Sequence, residues 1–160
     1  MIVSVVLRET AAVVAVAVLA AGCGAHTRAP PAQSEREWVA NVRGVVDQLR
    51  GEIVAVSGFD TLAAARKGLR DDSQLYGLLV AYTDFGGCLH MAAAVGVEPP
   101  GRARVVQLLH RACVHLRRAD SFFTRAVART APRFLVLATR EAVAAVPPLD
   151  AAGLELVRRA

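Results

Sequence analysis

Apolar side chains recur at alternating steps of three and four residues through most of the chain after Gln33. This spacing places them on one side of an α-helix, which has 3.6 residues per turn. No segment alternates apolar and polar residues with a period of two, and no Asn-Gly or Asp-Gly pair marks a hairpin. The pattern therefore predicts an all-α fold, an antiparallel bundle of four to five helices. The main predicted stripes are Trp38, Val42, Val45, Leu49, Ile53 and Val56; Leu75, Leu78, Tyr82, Phe85, Leu89 and Ala92; and Val106, Leu109, Cys113, Leu116, Asp120, Phe123 and Val127.

Capping residues predict where the first three helices begin and end. Ser34 and Glu37 have the spacing of a capping box, so the first helix begins there and ends near Gly58. Asp60 is predicted to cap a short second helix, and Asp71 a third.

Glycine and proline predict the remaining boundaries. The segment from Gly96 to Gly101, which contains two prolines, is the clearest turn, and a fourth helix follows it. Pro132 is predicted to break or restart the helix, and a fifth segment is predicted from Phe134 to Val146, before Pro147 and Pro148. Asp150 is predicted to cap a last short helix, stapled by Leu149 and Leu154.

The first 22 residues do not belong to the folded domain. Residues 10–21 are uncharged and mostly apolar, a run of twelve. A membrane-spanning helix needs about twenty apolar residues, so this run has the length of a signal-peptide core.

The end of this run, Leu19-Ala20-Ala21-Gly22-Cys23, places small residues directly before a cysteine. It resembles the lipobox of bacterial lipoproteins, a resemblance that covers residues 1–24 only. In that family the cysteine thiol receives a diacylglycerol, and the signal peptide is then cut off. The resemblance implies that Cys23 becomes the lipidated first residue of an exported protein, anchored in the bilayer and facing the periplasm or the outside. Ordinary secretion with a free Cys23, or an uncleaved anchor, are the alternatives.

Residues 23–33 are predicted to form a flexible tether, and residues 34–160 a single helical domain. Ten extended residues span at most about 35 Å, so the domain would work close to the membrane.

Cys88 and Cys113 remain once Cys23 is lipidated, and an even number of cysteines in an exported chain predicts a disulfide. They flank the turn between the third and fourth predicted helices. The two cysteines lie at the same level along the antiparallel helices if the fourth helix starts near residues 102–104. Closing this loop of 24 residues stabilises the fold by roughly 3 kcal/mol.

A metal site is the alternative for the same cysteines. With His90, Met91 and His110 they form a set of soft ligands of the kind that copper favours, and Met91 with His110 or His115 could ligate haem. The disulfide is the favoured interpretation, so neither a metal nor a cofactor is predicted.

Arginines dominate the fourth predicted helix and its flanks. Residues 101–140 contain nine arginines and one acidic residue, a local charge of +8 in a chain of net charge +5. Five of the arginines step by seven and then four residues and so share one helix face: Arg104, Arg111, Arg118, Arg125 and Arg129. A solvated helix face is one interpretation. An electrostatic contact with anionic lipid or an acidic partner in the envelope is the other.

Catalysis finds no support in the sequence, which lacks GxSxG, P-loop and GxGxxG motifs. Asp84 and Asp120 lie near the apolar stripes, and Asp120 is expected to pair with an arginine or with Tyr82. Export and the scarcity of aromatic residues argue against nucleic acid. The predicted function is that of a non-catalytic, membrane-tethered interaction module, and a carrier of a small ligand, haem or metal is the alternative.

The lipid anchor is tested by the intact mass of the protein extracted from membranes. We expect the mass of residues 23–160 plus a diacylglyceryl group, and an increase of two daltons on reduction of the disulfide. The Cys23→Ala variant should remain unlipidated. A wild-type mass without lipid would contradict the lipobox assignment.

Overall fold

Six α-helices account for most of residues 33–158, the part of the chain that the computed structural model describes, and no strand occurs there. They are α1 (Glu35–Val56), α2 (Leu62–Gly68), α3 (Asp72–Ala94), α4 (Ala103–Arg129), α5 (Pro132–Ala144) and α6 (Val146–Val157), with a 3-10 turn at Ser57–Phe59. Five of them have at least 12 residues and α2 has 7, so the predicted all-α bundle is confirmed. Among these helices none combines the length and the apolarity needed to cross a membrane. The predicted signal peptide and Cys23 lie outside the described residues.

The helices form four antiparallel columns, because α5 and α6 follow one another along the same side of α4. His115 of α4 meets Glu141 of α5, and Arg102 at the start of α4 meets Glu155 of α6. The column is interrupted at Ala145, just before Pro147 and Pro148. A proline inside a helix lacks the N–H donor and clashes with the preceding turn, but it is tolerated in the first turn of a new helix.

The centre of the core lies around Tyr82, where four helices meet. Its ring stacks on Phe123 of α4 at 4.4 Å between centroids and meets Phe85 edge to face at 5.2 Å. Its hydroxyl lies 3.4 Å from Thr139 Oγ1 of α5, which in turn donates to the carbonyl of Val56 at the end of α1, at 3.5 Å. Burial raises the pKa of Tyr82 to about 12, so this hydroxyl keeps its proton.

Several predicted helix ends are confirmed. Ser34 and Glu37 form the reciprocal bonds of a capping box at α1, and the side chain of Asp71 accepts from two backbone N–H groups of α3. Gly96 and Gly101 both have positive φ, which explains why glycines bound the turn between α3 and α4. The predicted break at Pro132 is confirmed, and α5 starts at this proline, two residues before the predicted Phe134.

Two predicted caps are wrong. Thr61, not Asp60, caps α2, because its hydroxyl accepts from the N–H of Ala64. Asp150 lies inside α6, where it pairs with Arg50 of α1. The predicted hydrophobic staple between Leu149 and Leu154 does not form either, because α6 starts at Val146 and Leu149 lies inside it.

Most positions of the predicted stripes are buried, but a few lie at the edge of the core or outside it. Val46 of α1 is buried where Val45 was predicted. In α4 the predicted Val106 and Val127 are each 38% exposed. The buried positions near those ends are instead Val105, Leu108 and Ala126.

The disulfide between Cys88 and Cys113 is present, with the two Cα atoms 5.4 Å apart and both side chains fully buried. α4 starts at Ala103, so the predicted register is confirmed. Gly86 lets α3 and α4 approach closely beside the bond, because a Cβ there would lie 2.9 Å from Asp120 Oδ2.

Arg102 was not singled out from the sequence, yet its side chain is only 4% exposed. Its Nε donates to Glu35 Oε1 at 2.9 Å, and its Nη1 donates to the carbonyl of Glu155 at 3.2 Å. One guanidinium therefore joins the starts of α1 and α4 to the last turn of α6. A buried guanidinium is stable only when its donors are satisfied in this way.

Arg102→Gln should lower the free energy of unfolding by about 2 kcal/mol, because the amide cannot reach both acceptors and leaves the Glu155 carbonyl without its partner. Denaturant unfolding of the full chain measures this loss. The matched control is Arg104→Gln, an exposed arginine one position into α4, which we expect to cost less than about 0.5 kcal/mol. Equal losses in the two variants would contradict the bridging role.

Candidate functional site: the arginine face of α4

Five arginines of α4 form an exposed strip that we call the arginine face: Arg104, Arg111, Arg118, Arg125 and Arg129. At 100° per residue, their spacing confines them to an arc of about 60° around the helix. At 1.5 Å per residue the strip is about 37 Å long and follows the helix axis. All five side chains are exposed. The strip therefore offers a row of cations to a flat or extended anion.

No carboxylate of residues 33–158 lies within ion-pair distance of the arginine face. The ion pairs in this part of the chain are Arg50–Asp150, Arg102–Glu35, His115–Glu141 and Arg158–Glu155. The single acidic residue of α4, Asp120, lies well away from the arginine face on the helical wheel. The positive charge of the strip is therefore not neutralised locally.

Aromatic rings support the distal end of the arginine face. The guanidinium carbon of Arg125 lies 5.8 Å from the ring centre of Phe122, and that of Arg129 lies 5.8 Å from Phe134 of α5. Arg133 of α5 lies 5.0 Å from the same Phe134 ring. A cation over a ring keeps its N–H donors available, so these contacts orient the guanidinium groups without consuming them.

The disulfide lies on a different side of α4 from the arginine face. Cys113 is two residues after Arg111, which puts it about 200° away around the helix. Both sulfur atoms are bonded to each other, so the alternative soft-ligand set lacks its two thiolates. Within the described residues no three His, Cys, Asp or Glu side chains are grouped so that they could hold a metal ion. His90 and His110 are exposed, and His115 Nδ1 lies 2.9 Å from Glu141 Oε2.

The prediction that Asp120 pairs with an arginine or with Tyr82 is wrong. Its carboxylate packs against Gly86, and neither an arginine of the described residues nor Tyr82 bonds to it. Burial raises the pKa of Asp120. Gly86 leaves room for this carboxylate, because a Cβ at position 86 would lie 2.9 Å from Asp120 Oδ2.

A pair of carboxylates between α1 and α3 was not predicted from the sequence. The amide of Gln48 donates to Glu52 Oε1 at 3.1 Å and to Asp84 Oδ2 at 3.0 Å. The second oxygen of Glu52 is buried without a partner among the described residues. Burial, and then the neighbouring carboxylate of Asp84, raise the pKa of Glu52 to about 7. Gln48 and Glu52 are four residues apart, a common helix spacing, so only the position of α3 reveals the pair.

This pair should make stability depend on pH. The folded state holds the Glu52 proton up to about pH 7, whereas the unfolded chain loses it near the ordinary value of 4.5. Stability should therefore fall as the pH rises between these values, and Glu52→Gln should remove that fall. Because water screens this partly exposed group, we expect the variant to gain about 1 kcal/mol over wild type at pH 8 and nothing at pH 4. Thermal unfolding at several pH values measures the difference, with the exposed Glu98→Gln as control. An equal gain at both pH values would contradict the raised pKa of Glu52.

The chain matches no protein-family model, and neither a curated protein nor a solved structure is significantly similar to it.

Proposed function

We propose that the chain is a lipoprotein, acylated at Cys23, whose helical domain binds the anionic surface of the membrane through the arginine face. The observation that carries the proposal is the row of five exposed arginines without a carboxylate partner among residues 33–158. The domain acts as a non-catalytic binding module held beside its partner surface.

Charge and length favour a lipid surface over a point ligand. Each cation near an anionic bilayer contributes about 1 kcal/mol, so five could supply up to about 5 kcal/mol at low salt. A strip about 37 Å long is too extended for one small anion to satisfy, but it matches a plane of headgroups.

The position where the domain begins is compatible with α4 lying along the membrane. Gln33 lies against Gly96 in the turn between α3 and α4, at the end of the bundle where the arginine face begins. A tether of ten residues reaches at most about 35 Å from there. That reach allows the bundle to lie on its side, with α4 along the membrane.

Arginine footprinting of the full chain in vesicles tests the proposal. A dicarbonyl reagent that modifies arginine, read by mass spectrometry, should label the arginine face several-fold less on vesicles containing phosphatidylglycerol than on pure phosphatidylcholine. The protection should disappear in about 0.5 M salt, because the screening length falls from about 8 Å toward 3 Å.

Exposed arginines outside α4 provide the matched control. Arg36, Arg43 and Arg66 should label equally on both kinds of vesicle. Reversing Arg111, Arg118 and Arg125 to glutamate should abolish the protection of Arg104 and Arg129, whereas reversing the three control arginines should not. Equal labelling of the arginine face on both vesicles would overturn the proposal. Protection by an acidic envelope polymer, without protection by anionic lipid, would overturn the lipid surface as the partner.

A further inference from the structure

We propose that a groove between α4 and α6 binds the headgroup of a single anionic phospholipid together with the upper part of an acyl chain. This inference rests on the proposed function, because it adds a specific site to the surface contact. The groove has a volume of about 490 Å³. It is lined by Leu108, His110, Arg111, Val114, His115, Pro147, Pro148 and Ala151.

The groove exists because the α5–α6 column is interrupted beside α4. Pro147 and Pro148 start a new helix at this point and form one wall of the groove. The opposite wall comes from two turns of α4. Rigid elements therefore shape the site, which needs no loop to close over it.

The chemistry of the lining selects an anion that also has an apolar part. Five of the eight lining residues are apolar, and the other three are two histidines and an arginine. One carboxylate, that of Glu141, lies beside the groove and is bonded to His115 Nδ1 at 2.9 Å. A phosphate can bond to the guanidinium of Arg111 at one edge of the groove, while hydrocarbon contacts Val114 and the prolines.

Other grooves of similar volume have a different character. The groove between α1 and α6 is lined by two arginines and two aspartates, including the paired Arg50 and Asp150. The groove between α1 and α3 is lined only by uncharged residues. The groove at α2 combines three cations with Asp71 and lies on a helix of 7 residues.

The groove also opens toward the same side as the arginine face. Arg111 belongs to both, and His115 follows it by one helical turn on the same side of α4. When the arginine face lies on a bilayer, the groove therefore faces the headgroups. This continuity favours a membrane phospholipid over a free phosphate ion.

Photo-crosslinking in vesicles tests the groove. The full chain is placed in vesicles that contain a photoreactive phosphatidylglycerol, and the crosslinked peptides are mapped by mass spectrometry. We expect crosslinks in residues 108–115 and 147–151, and at least tenfold fewer with a photoreactive phosphatidylcholine. A tenfold excess of inorganic phosphate over the labelled lipid should leave the crosslinks in place.

Two valines of α4 give a matched pair of variants. Val114, in the groove, is 36% exposed, and Val127, outside it, is 38% exposed. Val114→Glu should reduce the groove crosslinks at least tenfold, whereas Val127→Glu, with the same change of charge on the same helix, should leave them unchanged. His110→Ala should reduce them several-fold, and His90→Ala, an exposed histidine on α3, should not. Thermal unfolding of each variant checks that the bundle is intact.

The outcomes decide whether the groove binds an anionic lipid and whether its ligand is a phospholipid or a free phosphate. Equal crosslinking in the two valine variants, or equal crosslinking by both lipids, would overturn the groove as an anionic-lipid site. Loss of the crosslinks with inorganic phosphate would assign the groove to a free phosphate instead. Arginine footprints on the same samples separate the two proposals. Protected arginines without groove crosslinks would overturn the groove alone, whereas unprotected arginines without crosslinks would overturn both.

Discussion

The burial of one side of α4 against its neighbours is the constraint on which the rest of the structure depends. This helix of 27 residues packs against α3, α5 and α6. Its buried side includes Leu109, Cys113 and Leu116, and removing a guanidinium from water costs several kcal/mol unless every donor is satisfied. The seven-residue spacing of the arginines therefore does more than place charges on a surface. It is a spacing that keeps each of them in the remaining solvent-facing arc of a helix with three neighbours.

Two prolines link the architecture of the bundle to its proposed binding site. Without Pro147 and Pro148, residues 132–157 could continue as one straight helix along α4, as the alanines around the break would favour. With them, the column ends at Ala144 and begins again at Val146. The interruption occurs opposite Arg111 and His115, so a local loss of backbone hydrogen bonding yields a groove with cationic and apolar walls at the one side of α4 that solvent reaches.

Local signals in the sequence predicted the fold class, most helix starts and the disulfide, because a cap or a turn acts within a few residues. Features that depend on contacts between helices were not predicted from the sequence. The buried stripe of α4 contains Val105, Leu109, Ala112, Leu116, Ala119, Phe123 and Ala126 and has the same alternation of three and four residues as the predicted one, so the alternation alone could not show that Val106 and Val127 lie outside the core. The role of Arg102, the approach of Glu52 to Asp84 and the groove all depend on which helices become neighbours. The arginine spacing could be derived from the sequence, but the lack of carboxylates facing it could not.

The position of Arg102 gives the proposed tether a mechanical consequence. A domain held to a membrane through Gln33 is pulled at the first turn of α1, where four backbone N–H groups lack helical partners and a helix frays most readily. Glu35, in that turn, is bonded to a guanidinium that also bonds to the Glu155 carbonyl of α6. A load on the tether is therefore shared among α1, α4 and α6 instead of unwinding α1 alone. Arginine, the residue type that we propose contacts the lipid surface from the arginine face, thus serves when buried to fix the end of the bundle where the described domain begins.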